Sequence, residues 1–133
     1  MTPAARSLGR LSREFARREL ATLAETGGVR STVLFTADGF EVASHAADPA
    51  AASRLAAIGS SLAALGSAIS AEAGLHDFER TLVESSDGLV LIMRVGGTRA
   101  MSLAVVTDQT AVLGTVLWAA QRTCQALERI SSE

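Results

Sequence analysis

The residues able to do chemistry are few and scattered. His45 and His76 both fall near predicted loops, and neither belongs to a His-x-x-x-His or Glu-x-x-His pair that would set two ligands on one helix face. No metal site is expected. The single cysteine, Cys124, falls on the apolar stripe of the last predicted helix and reads as a small buried hydrophobe. One cysteine supports neither a disulfide framework nor a thiolate cluster, which suits a reducing compartment. Gly96-Gly97-Thr98 lacks the spacing of a phosphate-cradling loop, and the chain has no lysine to complete one. Gly27-Gly28 follows a helical stretch rather than a strand, so it is a stop signal and not a dinucleotide fingerprint. No acid, base and nucleophile fall together. The expectation is a protein that is not an enzyme, with no cofactor.

Charge offers one pattern. Arg6, Arg10, Arg13 and Arg17 are spaced four, three and four apart, which places them on one face of a helix. That face is either solvated or a docking surface for an acidic partner. With 12 basic and 14 acidic residues the net charge is −2, which leaves no footprint for nucleic acid. No apolar h-region follows the N-terminal arginines, so no secretory leader is expected. The run from Ala111 to Ala120 is far shorter than the roughly 20 residues of a membrane span, and no membrane insertion is expected. A cytoplasmic location is the simplest setting. At 133 residues, one domain is expected over 1–133, its core from about 8 to 130.

The elements that position these residues read as α-β-β-α-β-β-β-α. Leu8, Leu11, Phe15, Leu20 and Leu23 predict an amphipathic helix from about Ser7 to Glu25. Val29 to Thr36 reads as a strand, Asp38-Gly39 as a hairpin turn, and Phe40 to His45 as a weaker second strand. Asp48 is placed as a helix cap with Pro49 at the first helical position, and this second helix runs to about Ala73. Arg80 to Ser85, Leu89 to Val95 and Met101 to Thr107 read as three strands joined by tight turns, which forces antiparallel pairing. The fourth strand, LVLIMRV, is apolar on both faces apart from Arg94, so helices must cover both sides of the sheet. Asp108 is expected to cap a last helix from about Gln109 to Ile130. Trp118 lies at the margin of its apolar stripe, either as core edge or as an exposed anchor.

The central helix poses the main question. Between Asp48 and Glu72 its only charged side chain is Arg54. Two stripes run along it. Leu55, Ile58, Leu62, Leu65 and Ile69 form a ridge expected to pack on the sheet. Ala52, Ala56, Gly59, Ala63, Gly66 and Ser70 form a second stripe of small residues. Two glycines inside a helix cost about 1 kcal/mol each relative to alanine, so close backbone contact should offset them. The expectation is that a second copy of the chain covers this small-residue stripe across a two-fold axis.

The ordered set VLFTADGFEVAS, RLAAIGSSLAALGSAIS, TLVESSDGLVLIMRVGG and AVLGTVLWAAQR resembles the Roadblock / dynein light-chain-seven superfamily, and within it the bacterial MglB-like branch, over about Leu11 to Ile130. The resemblance implies a Roadblock/profilin-like α/β (α+β) fold: a five-stranded antiparallel sheet, the central helix on one face and the terminal helices on the other. It implies a homodimer in which the central helices pack together and the third strands pair, bringing Arg80, Leu82 and Glu84 to the interface. It also implies the role of an adaptor that binds a small Ras-like GTPase. The alternative is a small-molecule sensor domain of the same shape, which would need a pocket with convergent polar groups.

Overall fold

Helices flank a single twisted sheet in the computed structural model, which describes residues 8–133. The helices are α1 (Arg10–Ala24), α2 (Pro49–Glu72) and α3 (Leu113–Ser131). The strands are β1 (Val29–Thr36), β2 (Glu41–His45), β3 (Arg80–Ser85), β4 (Gly88–Val95) and β5 (Met101–Thr107). The sheet is antiparallel throughout, in the order β2-β1-β5-β4-β3. The order of elements, the strand count and the coverage of both faces are as the sequence predicts. Arg6 and Ser7 lie outside the described residues.

Alternation along the strands builds two cores. Leu34, Leu91, Met93, Leu103 and Val105 point to the side of α1 and α3, and join Leu20, Leu23, Val116, Ala120 and Leu127. Val33, Phe35, Ile92 and Ala104 point to the other side, where Ala52 and Ala56 of α2 meet them. Hydrogen bonds tie the layers together. The Thr32 hydroxyl, fully buried on β1, donates to the Leu20 carbonyl of α1 at 3.0 Å. The Arg99 amide donates to the Ser131 carbonyl at 2.9 Å and fixes the end of α3 to the β4–β5 hairpin.

Helix ends follow local chemistry. The Asp48 carboxylate accepts from the Ala50 amide at 3.0 Å, and Pro49 opens α2 as expected. Leu11, assigned to the apolar stripe of α1, is exposed instead, and Ala16, Leu20 and Leu23 carry the buried face. The start of α3 also differs from expectation: the helix begins at Leu113, not Gln109. Asp108 does not cap it. Its carboxylate accepts from the Thr110 hydroxyl and from the Thr110 amide, the latter at 2.8 Å, closing a separate turn. The Thr110 hydroxyl first, then the amide and the Arg30 guanidinium, hold the Asp108 carboxyl below its ordinary value. Nearby, Ala111 lies against Gly28, where an added Cβ would come within 2.5 Å of the Ala111 backbone. Residues 108–112 are thus spent wrapping the left-handed Gly28 turn (φ 87°) before the helix can start.

Candidate functional site

The sequence leaves one surface to be explained, that of α2, and the structure settles which stripe faces which way. Ala52 and Ala56 are 2% and 0% exposed, and Gly59 is buried with them. Ala63, Gly66 and Ser70 continue the stripe, half-buried. The small residues therefore face the chain's own sheet, and the expectation that a second copy covers them is corrected. The reason is the aromatic floor. A Cβ on Gly59 would lie 2.9 Å from Cζ of Phe35, and one on Gly66 would lie 3.1 Å from Cγ of Phe78. At Gly59 a side chain would force the Phe35 ring to shift, and at Gly66 the Phe78 ring would have to give by a few tenths of an ångström, so glycine lets the helix come down onto both rings, which offsets its low helix propensity.

The apolar ridge goes to the outside as a consequence. Ile58, Leu65 and Ile69 are 67%, 58% and 69% exposed. Leu55 and Leu62 are half-buried on its shoulder, packed against the inner core. On a helix, residues 58, 62, 65 and 69 fall about 120° away from the buried stripe, at 100° per residue. By length and composition α2 is the one helix among the described residues apolar enough to cross a membrane. Its inner stripe is nevertheless seated on protein, so only one flank is left for another surface. Contiguous exposed isoleucine and leucine of this kind mark an interaction site.

The second part of the site is β3, the last strand of the sheet, which pairs with β4 alone. Its register opposite β4 fixes its faces. Arg80, Leu82 and Glu84 lie opposite Met93, Leu91 and Leu89, on the α3 side, while Thr81 and Val83 lie opposite Ile92 and Val90, on the α2 side. Leu82 and Val83 are both exposed. The three β3 residues named from sequence therefore stand on a bare edge. Of those named on α2, Ala52, Ala56 and Gly59 are buried and Ala63, Gly66 and Ser70 half-buried; sequence reasoning sent Ile58, Leu65 and Ile69 to the core, where the structure exposes them, and missed Val83.

The remaining candidates resolve simply. Cys124 is buried, and burial together with the nearby Glu128 carboxylate pushes its thiol up to about 12. Trp118 is exposed, with the Arg122 guanidinium 4.9 Å from its ring centre. Arg129 of α3 lies 4.1 Å over the ring of Phe15, joining α3 to α1. Among the described residues no group of His, Cys, Asp and Glu is placed to hold a metal.

Comparison with known proteins places this arrangement. The Roadblock/LC7 domain model matches residues 17–107, which is most of the chain and includes both α2 and β3. The chain belongs to the Roadblock/LC7 family. The gliding protein MglB of Thermus thermophilus is similar at 27% identity, with a TM-score of 0.83 and 93% of each chain covered. An MglB described with a tetrameric arrangement matches at 28% identity, TM-score 0.83, again over 93% of each chain. A Roadblock/LC7 domain from Streptomyces avermitilis shares the fold at 22% identity, with a TM-score of 0.80, covering 85% of this chain and 94% of its own. No curated protein matches in sequence. The family and the fold inferred from the residues are thus those of the molecule.

Proposed function

We propose that this Roadblock/LC7 chain is a non-enzymatic homodimeric adaptor that regulates a small Ras-like GTPase in a bacterial cytoplasm. The observation that carries the reading is the exposed ridge of Ile58, Leu65 and Ile69 beside the bare edge of β3. A second copy satisfies both at once. Its α2 ridge covers the apolar residues, and its β3 supplies the missing hydrogen-bond partners of the edge. The likeness to MglB over 93% of the chain supports the kind of protein, and the MglB-like resemblance supports the kind of partner. The GTPase would bind the composite surface of the dimer, which biases its switch loops towards one conformation.

The edge charges fit this pairing. Arg80 and Glu84 stand two residues either side of Leu82, on the same face of the strand. If two β3 strands pair antiparallel with Leu82 opposite its own mate, each Arg80 falls opposite a Glu84, an attractive cross-strand pair. Charges that discourage foreign strands thus select this register. Reversing one charge by Arg80→Glu is expected to weaken the dimer by about tenfold, from two repulsive pairs of roughly 0.5–1 kcal/mol each. Arg80→Glu combined with Glu84→Arg should restore it, as read by analytical ultracentrifugation.

The functional test uses a purified small Ras-like GTPase from the same genome, loaded with GDP or with a non-hydrolysable GTP analogue. Binding to the immobilised chain in one nucleotide state, at least about tenfold over the other, is the expected result. Absence of binding in both states would remove the GTPase from the account.

A further inference from the structure

The small-residue stripe of α2 does not close fully onto the sheet. Towards the end of the helix a cleft of about 190 Å³ remains between helix and strands. Its floor is a row of three residues across the sheet: Phe35 on β1, Ser102 on β5 and Arg94 on β4, each opposite the next in register. Its roof is Ser60, Ala63 and Ser67 of α2. The rings of Phe35 and Phe78 bound it beneath Gly59 and Gly66. Those glycines are two helical turns apart, about 10 Å.

Three polar features converge there. Ser102 is 8% exposed and lines the floor of the cleft. Arg94 reaches the cleft with Nη1 2.8 Å from Oδ2 of Asp77 and its Cζ 5.9 Å from the Phe78 ring centre. Asp77 in turn accepts from the Ser67 hydroxyl and from the Phe78 amide at 2.9 Å. Asp77 is therefore a positioning residue whose lone pairs are largely engaged. Arg94 is held in place by it, yet a guanidinium carries five N–H donors in a fork, and this contact uses one nitrogen of the fork.

We propose that this cleft binds a small carboxylate with a planar, apolar body about the size of a benzene ring. The guanidinium fork matches a planar carboxylate in two-point geometry. The aromatic and alanine walls accept a flat ring, and the Ser102 hydroxyl supplies a hydrogen bond at the floor. Size agrees: a cavity of about 150 Å³ accommodates benzene, and this one is somewhat larger at about 190 Å³. Charge narrows the class further. Among the described residues Arg94 is the one cation lining the cleft, and Asp77 stands beside it, so a single negative charge is accepted and a dianion such as phosphate is repelled.

The test is a titration of the intact, isotopically labelled chain with sodium benzoate to about 10 mM, followed by amide NMR, since small ligands of this size reach dissociation constants on the order of 1 mM. Shifts confined to Ser60, Ser67, Phe78 and Ser102 and their neighbours are expected. Benzamide, the neutral counterpart, should bind at least about tenfold more weakly, as should benzoate to Arg94→Gln. Ala64→Leu, at an exposed position on the rim, should block binding while the rest of the spectrum and the mass in solution stay unchanged. The proposal is overturned if benzoate moves no cleft amide, or if its effect survives both substitutions. It is equally overturned if benzamide or inorganic phosphate acts as strongly as benzoate.

Discussion

Replacing Ile58 and Leu65 together by glutamate is expected to halve the mass of the particle in solution, from twice the chain mass of 13.7 kDa to a single copy. Both side chains are more than half exposed on one chain, so the substitution disturbs little in the isolated fold. Across a two-fold axis each is present twice, and four apolar side chains leave the seam. At roughly 1.5 kcal/mol for each, the loss weakens association by at least about 1,000-fold. Introduced carboxylates facing their own symmetry mates repel as well. Circular dichroism should show the helix and sheet content unchanged. Light scattering at low micromolar concentration reads the outcome, and the variant should lose any GTPase partner together with its second copy.

The second large effect is expected from the opposite face of the same helix. Gly59→Leu should destabilise the fold by about 3 kcal/mol, the upper end of what overpacking a closed core costs. That corresponds to a fall of roughly 10 °C in the melting temperature for a domain of this size. The ring it meets, Phe35, is 1% exposed and held between β2 and β5, so it has nowhere to go. Gly66→Leu should cost less, about 1 kcal/mol, because Phe78 is only half-buried and belongs to the segment before β3. Gly114→Ala is the control. A Cβ there meets nothing within 4 Å, and alanine is the better helix former, so up to about 1 kcal/mol of added stability is expected. The cost at Gly59 and Gly66 follows from the small stripe of α2 facing inward, and the gain at Gly114 of α3 from the open space around it. A stripe free in the monomer would make both α2 substitutions mild.

These two expectations show where the sequence was informative and where it was not. Turn residues and alternation placed the elements almost to the residue: Arg80–Ser85 and Met101–Thr107 are strands as read, and α2 starts at Pro49 behind its Asp48 cap. Strand β4, apolar on both faces, correctly demanded cover on two sides. The orientation of α2 was not legible, because both of its stripes repeat at helical spacing. The ordinary rule sends the larger apolar residues inward, and it assumes that a helix has one buried face. Here the inner surface already carries Phe35, a bulky ring projecting from β1, so the helix must present glycine to it. The signal was available in principle. Two glycines seven residues apart, on a helix with so little charge, ask for aromatic neighbours, but nothing in the sequence says which of Phe35, Phe40 and Phe78 answers. The late start of α3 was hidden for a similar reason, since Asp108 is an adequate cap for a helix and for a short turn alike. The cleft beside Ser102 and Arg94 depends on the same reversed orientation and could not be read earlier.

The claim on which the functional account rests is that the outer ridge of α2, and not its small-residue stripe, lies against a second copy. Cysteine cross-linking along the helix tests it most directly, in a Cys124→Ala background and one position at a time. Two cysteines join only where their Cα atoms come within about 7 Å. The account predicts disulfide-linked pairs under mild oxidation at Leu62→Cys or Leu65→Cys, near the middle of the ridge, weaker pairs at Ile58→Cys and Ile69→Cys, and none at Ala56→Cys. Cross-links at Ala56→Cys with none along the ridge, or none at any position in a chain that runs as a single copy, would contradict it.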